Sequence, residues 1–424
     1  MQRDTRQYSR AMPPHPTPPS RNQPALVVIA AGVCAALHVG KLAPALTTLQ
    51  VELGLTLVQA GFLLSLVQGA GMLLGLVFGA LADGIGARRS MVLGLAVMAL
   101  ASAAGGSVTG APALTLLMAC RAAEGFGFLL VVLPAPGLVR ALVPPARVAA
   151  MLGVWGAYMP LATALALLLG PLCLAAFGWR VWWWALAVLS VLALLALRRT
   201  VPAPPTGPAA ASQALPWRLR LRLTLSAPGP WWVALCFAMY SGQWLAVIGF
   251  LPAIYTQAGV AVVTTGALTA LVAATNILGN LAAGRLLQRG LGPGKLLATG
   301  FVAMAAAATL AFADVGALPA AARYAALLGF SGFGGLVPAT LFALALRVAP
   351  GPQTVSTTVG WLQQWSALGQ FAGPPLVAAV ASRVGGWQFT WVATGSLALA
   401  GLLFSALLVA SLRRGIQAQA RGGR

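Results

Sequence analysis

Long apolar runs separated by short basic turns dominate the chain. Apolar segments fall at 24–46, 57–82, 90–109, 112–139, 148–172 and 180–197. A polar stretch rich in Pro, Ala and Arg follows from Arg198 to Pro230, and then six more segments at 231–256, 264–287, 295–314, 321–347, 355–382 and 387–412. About twenty apolar residues in a helix rising ~1.5 Å per residue cross the hydrocarbon of a bilayer. The pattern therefore predicts an all-α membrane protein with twelve transmembrane helices in two six-helix bundles. Its expected division is a disordered tail at 1–23, an N-terminal bundle at 24–197, a linker at 198–230, a C-terminal bundle at 231–412 and a tail at 413–424. The first 23 residues, rich in Pro, Arg and Gln, are too polar for a signal peptide.

Composition agrees: of 424 residues, 59% are hydrophobic and only 7% charged, too few charges to cover a soluble protein of this length. The net charge of +21 would suggest nucleic acid in a soluble chain, but here its placement decides otherwise. With the N-terminus assigned to the cytoplasm, 21 of the 26 Lys and Arg residues fall on that side and only Arg180, Arg323 and Arg383 on the other, with Lys41 and Arg121 left inside helices. That bias predicts cytoplasmic termini and linker, with no nucleic-acid partner and some attraction to anionic lipid. Cys34, Cys120, Cys173 and Cys236 all fall in apolar runs without metal-ligand spacing, so they read as packing residues with no disulfide.

The two halves echo one another, as expected of a carrier built from repeats, here two pseudo-symmetric bundles with inverted repeats of three helices in each. Pro44 and Pro252, Gly61 and Gly266, Pro134 and Pro338, and Trp155 and Trp361 share an offset of about 205 residues. Gly170-Pro171 followed by Gly178-Trp179 recurs as Gly373-Pro374 followed by Gly386-Trp387.

Between the second and third segments runs Gly79-Ala80-Leu81-Ala82-Asp83-Gly84-Ile85-Gly86-Ala87-Arg88-Arg89. Its glycines allow a sharp turn and close helix approach, and Asp83 can accept from a helix N-terminus or from arginines. This stretch resembles the signature loop of the major facilitator superfamily. The resemblance implies a conformational latch formed by Gly79, Asp83, Gly86, Arg88 and Arg89 between helix 2 and helix 11. Arg121-Ala122-Ala123-Glu124-Gly125-Phe126-Gly127 resembles the family's R-x-x-x-G-x-G motif, whose arginine is linked to proton coupling. Gly170-Pro171 lacks the Gly-Gly that continues the drug-antiporter signature. The stretch His38-Val39-Gly40-Lys41-Leu42-Ala43-Pro44-Ala45-Leu46 is similar to bacterial cyanate permease-type carriers, which implies small anionic substrates.

Ionisable groups in the hydrocarbon are costly and so carry functional hypotheses. Of the five acids, Asp4, Glu52, Asp83 and Asp314 lie outside the helix interiors and only Glu124 lies well inside one. Arg121 and Glu124, three residues apart, adjoin on one helix face. They read either as a neutralised pair that orients the helix or as a proton-coupling pair in which Glu124 takes up and releases a proton while Arg121 exchanges between Glu124 and substrate. Lys41 and His38 share a face of the first helix, at a depth similar to Arg121 and Glu124. Lys41 either snorkels to the surface or, with Arg121, makes the cavity attractive to an anion. His38 is either a proton carrier or a packed, neutral residue. In the second half the substrate candidates are uncharged: Tyr240, Gln243, Trp361 and Gln364, with Asn276 and Asn280 nearby in type. Trp182, Trp183, Trp184, Trp231 and Trp232 read as packing or interfacial groups at segment ends.

The function expected is secondary active transport of a small organic or inorganic anion, coupled to protons, by alternating access. The alternative is a drug/proton antiporter exporting lipophilic compounds. No G-x-x-x-x-G-K-[ST] pattern supports ATP coupling, and no cofactor or metal is expected. Too few acids and histidines are present for a membrane-embedded enzyme, although a non-transporting sensor of the same fold would share these features. The partners expected are the substrate, protons and the lipid bilayer; the chain is compatible with a monomer.

Overall fold

The computed structural model describes residues 23–76, 86–109, 113–202, 215–314, 318–351 and 354–422, which are overwhelmingly helical. Among the described residues, ten helices are long and apolar enough to cross a membrane. The first four crossings are α1 (Gln23–Leu53), α2 (Leu57–Leu76), α3 (Ala87–Gly106) and α4 (Ala113–Leu142). The stretch Tyr158–Thr200 is 43 residues long and leaves helical geometry at Gly178 (φ 81°, ψ 168°), where it reverses and so supplies two crossings. They are α5, comprising Pro145–Gly156 and its continuation to residue 177, and α6, residues 179–200. A short helix at Trp217–Ser226 lies in the connection to the second bundle. There follow α7 (Pro228–Gln257), α8 (Val262–Gln288), α9 (Pro293–Phe312) and α10 (Ala320–Val348). The last two are α11 (Val355–Val384) and α12 (Thr390–Gly422). α11 is less apolar than the rest because Gln363, Gln364, Gln370, Pro374 and Pro375 punctuate it, and it is packed against α7 and α2.

Proline shapes the helices that matter most. α1 is interrupted by a 3-10 turn at Ala43–Ala45 around Pro44, and α4 is interrupted just before Ala135, at Pro134. A proline cannot donate to the ladder, so a carbonyl upstream is released. At Lys41 the released carbonyl is satisfied by the Trp182 indole at 3.1 Å. Leaving it bare in a membrane interior would cost several kcal/mol. The α5–α6 turn is fastened to the far end of α1 by Trp179 Nε1, which donates to Glu52 at 2.7 Å, with Arg180 beside the same carboxylate at 3.7 Å.

Without a hydrophobic force between helices in lipid, close approach through small residues does the packing. A Cβ at Gly369 or Gly373 of α11 would collide with the backbone carbonyl of Ala238 or Gly242 on α7. Gly125 of α4 approaches the carbonyl of Val67 on α2 in the same manner, and Gly335 of α10 approaches Asn276 on α8.

Besides the contact of α7 with α1 and α2, the bundles meet along two glycine-lined seams. Gly61, Gly71 and Gly75 of α2 lie against Pro375, Ala367 and Gln364 of α11, while Gly266 of α8 lies against Leu167 and Pro171 of α5. In a twofold arrangement α2 corresponds to α8 and α5 to α11, so the same pseudo-symmetry relates both lines. The repeat also extends to contacts that spacing alone did not reveal. Cys34 Sγ meets Ser190 Oγ between α1 and α6 at 3.6 Å, and Cys236 Sγ meets Ser405 Oγ between α7 and α12 at 3.5 Å. All four cysteines are free.

Replacing Gly373 with Leu should drive α7 and α11 apart and cost on the order of 1–3 kcal/mol or more, by overpacking. Gly395→Ala, where an added Cβ meets nothing within 4 Å, should be neutral. Thermal unfolding in detergent compares the two, and equal melting temperatures would show that the α7–α11 contact is not close-packed.

Candidate functional site

Four charged or titratable side chains converge inside the first bundle. Lys41 and His38 come from α1 and Arg121 and Glu124 from α4, and none of the four is exposed at all. Lys41 lies just before the break that Pro44 makes in α1, and its side chain is buried inside the bundle. The snorkelling alternative for Lys41 is therefore not what the fold adopts.

The Lys41 ammonium donates to Glu124 Oε1 and, at 2.9 Å, to Ser102 Oγ of α3. It also lies 4.6 Å from the centroid of the Trp183 ring, a cation–π contact from α6. Ser102 in turn donates to the Trp183 carbonyl at 2.8 Å, so toward Lys41 it acts as acceptor. Arg121 Nη1 donates to Glu124 Oε2 and to the His38 carbonyl, each at 2.6 Å. Glu124 is thus held by a cation on each carboxylate oxygen. Arg121 Nε and Nη2 are buried with no hydrogen-bond partner on the protein. Two cations and one carboxylate leave an excess of positive charge, with unused guanidinium donors, in the buried interior of the bundle.

His38 completes the cluster. Its Nε2 is 2.9 Å from Ser190 Oγ, while Nδ1 is 3.4 Å from Glu124 Oε1 and 3.5 Å from Lys41 Nζ. Ser190 spends its hydroxyl proton on the Leu186 carbonyl at 3.0 Å and so accepts from His38. That assigns the proton of a neutral imidazole to Nε2 and leaves Nδ1 as an acceptor for Lys41. Adding a proton at Nδ1 would turn it into a donor to Glu124.

The second bundle carries a neutral network instead. Tyr240 and Asn276 exchange hydrogen bonds at 2.9 and 3.2 Å, Asn276 also donates to the Ser331 carbonyl at 2.8 Å, and Trp244 donates to Ser331 Oγ at 3.1 Å. Gln243 donates to its own helix at Met239 and keeps a buried Oε1 without a partner. Trp361 packs edge-on against Trp231 and Trp365, and its indole N–H is buried without a partner. Gln364 is engaged between bundles: it accepts from the Leu76 amide and donates to the Met72 carbonyl of α2, both at 3.0 Å. None of the hydrogen bonds made by Tyr240, Gln243 or Gln364 reaches the charged cluster.

Gly79 and Asp83 lie outside the described residues. Gly86 opens α3 with φ 90°, and Arg88 donates to the carbonyl of Arg198 at the end of α6 at 2.7 Å, while Arg89 is exposed. Spacing did not bring out Ser102, Ser190 and Trp183 as members of the cluster. Ser102 and Ser190 are isolated serines in apolar surroundings and Trp183 sits within a run of three tryptophans, so only the fold distinguishes it from exposed Trp184.

Twelve helices in two related bundles, joined along two seams and holding a buried charge cluster, define a secondary transporter of small molecules, not an enzyme. The profile of the Major Facilitator Superfamily matches residues 28–261 and 233–423. The chain belongs to that superfamily. It is 28% identical over 390 residues, 85% of this chain and 89% of the relative, to a 2-nitroimidazole transporter of Escherichia coli (strain K12). Its fold is similar to the crystal structure of a bacterial homolog to the human lysosomal transporter Spinster, in an inward-facing and unoccupied conformation. That likeness has a TM-score of 0.65, with 16% identity, over 93% of this chain and 96% of the other.

Removing one partner of a buried pair costs about 3–5 kcal/mol, because the other charge stays buried. Lys41→Met leaves Arg121 and Glu124 neutralised, whereas Glu124→Gln leaves two like charges together. The expected order of melting temperatures in detergent is therefore Lys41→Met above Glu124→Gln, with the double variant recovering part of the loss. An additive double variant would mean that the two residues do not interact.

Proposed function

We propose that the chain is a proton-coupled carrier of a small organic or inorganic anion, moved by alternating access across a bacterial inner membrane. The observation that carries this reading is the unpartnered side of Arg121 inside a cluster with excess positive charge. Guanidinium presents its N–H groups as a planar fork, suited to two coplanar oxygens. A carboxylate offers such a pair, and so does the nitro group of the solute after which the Escherichia coli relative is named. A solute that engages the free side of Arg121 competes with Glu124 for the guanidinium. Glu124, released from one cation, takes up a proton, and His38 Nδ1 lies within 3.4 Å to pass it on.

Lys41 remains as the fixed positive charge, held by Ser102 and Trp183. The neutral groups of α7, Tyr240 and Gln243, and the Trp361 indole N–H face the uncharged part of the solute in this reading. Gln364 acts at the seam between bundles, which must open and close as they rock, alongside the latch residues Gly79, Asp83, Gly86, Arg88 and Arg89. The termini and the linker lie in the cytoplasm, on the side that collects the arginines.

A second reading, export of lipophilic compounds, is favoured by an apolar cleft of about 240 Å³ lined by Met239, Gly242, Trp365, Leu368 and Leu376, among others. Purified protein in liposomes with an internal pH dye separates the two. Small carboxylates, inorganic anions and nitroazoles should each be tested against lipophilic cations. Anion- or nitroazole-driven proton movement, lost in Glu124→Gln, is expected. Arg121→Lys keeps the charge and loses the fork, and should raise the half-saturation concentration about tenfold, the equivalent of one charge-assisted hydrogen bond. Proton movement driven only by lipophilic cations would overturn the anion reading.

A further inference from the structure

A cavity of about 370 Å³ lies away from the charge cluster, where α3 begins and α6 ends. It is lined by Arg88, Arg89, Val92, Leu93, Ala96 and Arg198. Three of its lining residues are arginines, and none of them forms an ion pair among the described residues. Arg88 is oriented by its bond to the Arg198 carbonyl, which also satisfies the frayed C-terminal turn of α6, and its Nε is buried without a partner.

The rest of the wall is apolar and directional. Arg88, Val92 and Ala96 follow one another at four-residue spacing along one face of α3, and Arg89 and Leu93 run beside them. Leu93 and, two turns further, Leu100 are exposed, as are Val188, Val191, Leu192 and Leu195 on α6. The cavity therefore has a cationic end at the membrane surface and an apolar stripe leading from it into the hydrocarbon.

We propose that this cleft binds an anionic phospholipid. The phosphate sits among Arg88, Arg89 and Arg198 through charge-assisted hydrogen bonds, and an acyl chain lies along Val92, Leu93 and Ala96. A free anion would satisfy the arginines but leave the stripe bare, and a zwitterionic lipid would bring its own cation against three others. The lipid joins the start of α3 to the end of α6. The site does not depend on which solute is carried.

The test is native mass spectrometry of the full chain in detergent, titrated with phosphatidylglycerol, with phosphatidylcholine of the same chains, and with glycerol phosphate. The variants are Arg89→Gln/Arg198→Gln and, as a control with the same loss of net charge, Arg218→Gln/Arg222→Gln on the exposed linker helix. Each basic residue near an anionic surface contributes about 1 kcal/mol, so the first double variant should bind phosphatidylglycerol about 30-fold more weakly. The control should bind it as the native chain does. Three results would each overturn the proposal: equal retention of phosphatidylcholine, equal weakening in both double variants, or glycerol phosphate binding as tightly as the lipid. The last would make the cleft a site for soluble anions. Proton flux plays no part in the readout, so failure here leaves the transport reading intact.

Discussion

The structure of the first bundle depends on keeping three full charges buried among its helices. Each of Lys41, Arg121 and Glu124 would cost roughly 3 kcal/mol on insertion scales if it stood alone in the hydrocarbon. They are tolerable only together, and their geometry follows from that. Glu124 bridges the two cations, Ser102 and the Trp183 ring support the ammonium, and the His38 carbonyl takes the second Arg121 bond. α1 breaks at Pro44, and the Lys41 carbonyl freed beside that break is claimed by Trp182. α1, α3, α4 and α6 are thus fixed in mutual register by polar groups, although the force between apolar helices in lipid is weak.

The second bundle reaches the same shape by other means. Its network of Tyr240, Asn276, Ser331 and Trp244 is uncharged, and its helices approach through glycine at Gly279, Gly335, Gly369 and Gly373. The chemistry is therefore asymmetric on a symmetric frame: one bundle holds the charges and the other the amides and aromatics. Motion between them has to pass through the α2–α11 and α5–α8 seams. Among the described residues, the hydrogen bonds across the former are few and involve glutamine: Gln68 to Gln370 at 3.1 Å, and Gln364 to the α2 backbone. Neutral bonds of this kind are each worth about 1 kcal/mol net, weak enough to exchange as the bundles rock.

Much of the fold was legible in the sequence because a bilayer imposes a coarse rule. A crossing must be long and apolar, so the twelve runs and the repeat at Pro44/Pro252 and Trp155/Trp361 could be read directly. The site was legible in part. Arg121 and Glu124 adjoin by helical spacing, as do His38 and Lys41, and the only acid well inside a helix was bound to attract attention. What spacing could not give was the third dimension. Ser102 and Ser190 look like any serine in an apolar helix, and the repeat of the Cys34–Ser190 contact as Cys236–Ser405 appears only when α6 and α12 are folded back. Gln364 looked like a ligand residue because amides in membrane helices are rare, yet backbone groups on a neighbouring helix satisfy it just as well.

Proton uptake on solute binding tests the coupling of solute to the buried cluster most directly. The detergent-solubilised protein is titrated with a carboxylate or nitroazole by calorimetry in two buffers of different ionisation enthalpy, native chain beside Glu124→Gln. If solute displaces Glu124 from Arg121, binding to the native chain takes up about one proton and binding to the variant takes up none. Solute binding with the same proton count in both proteins would contradict the account.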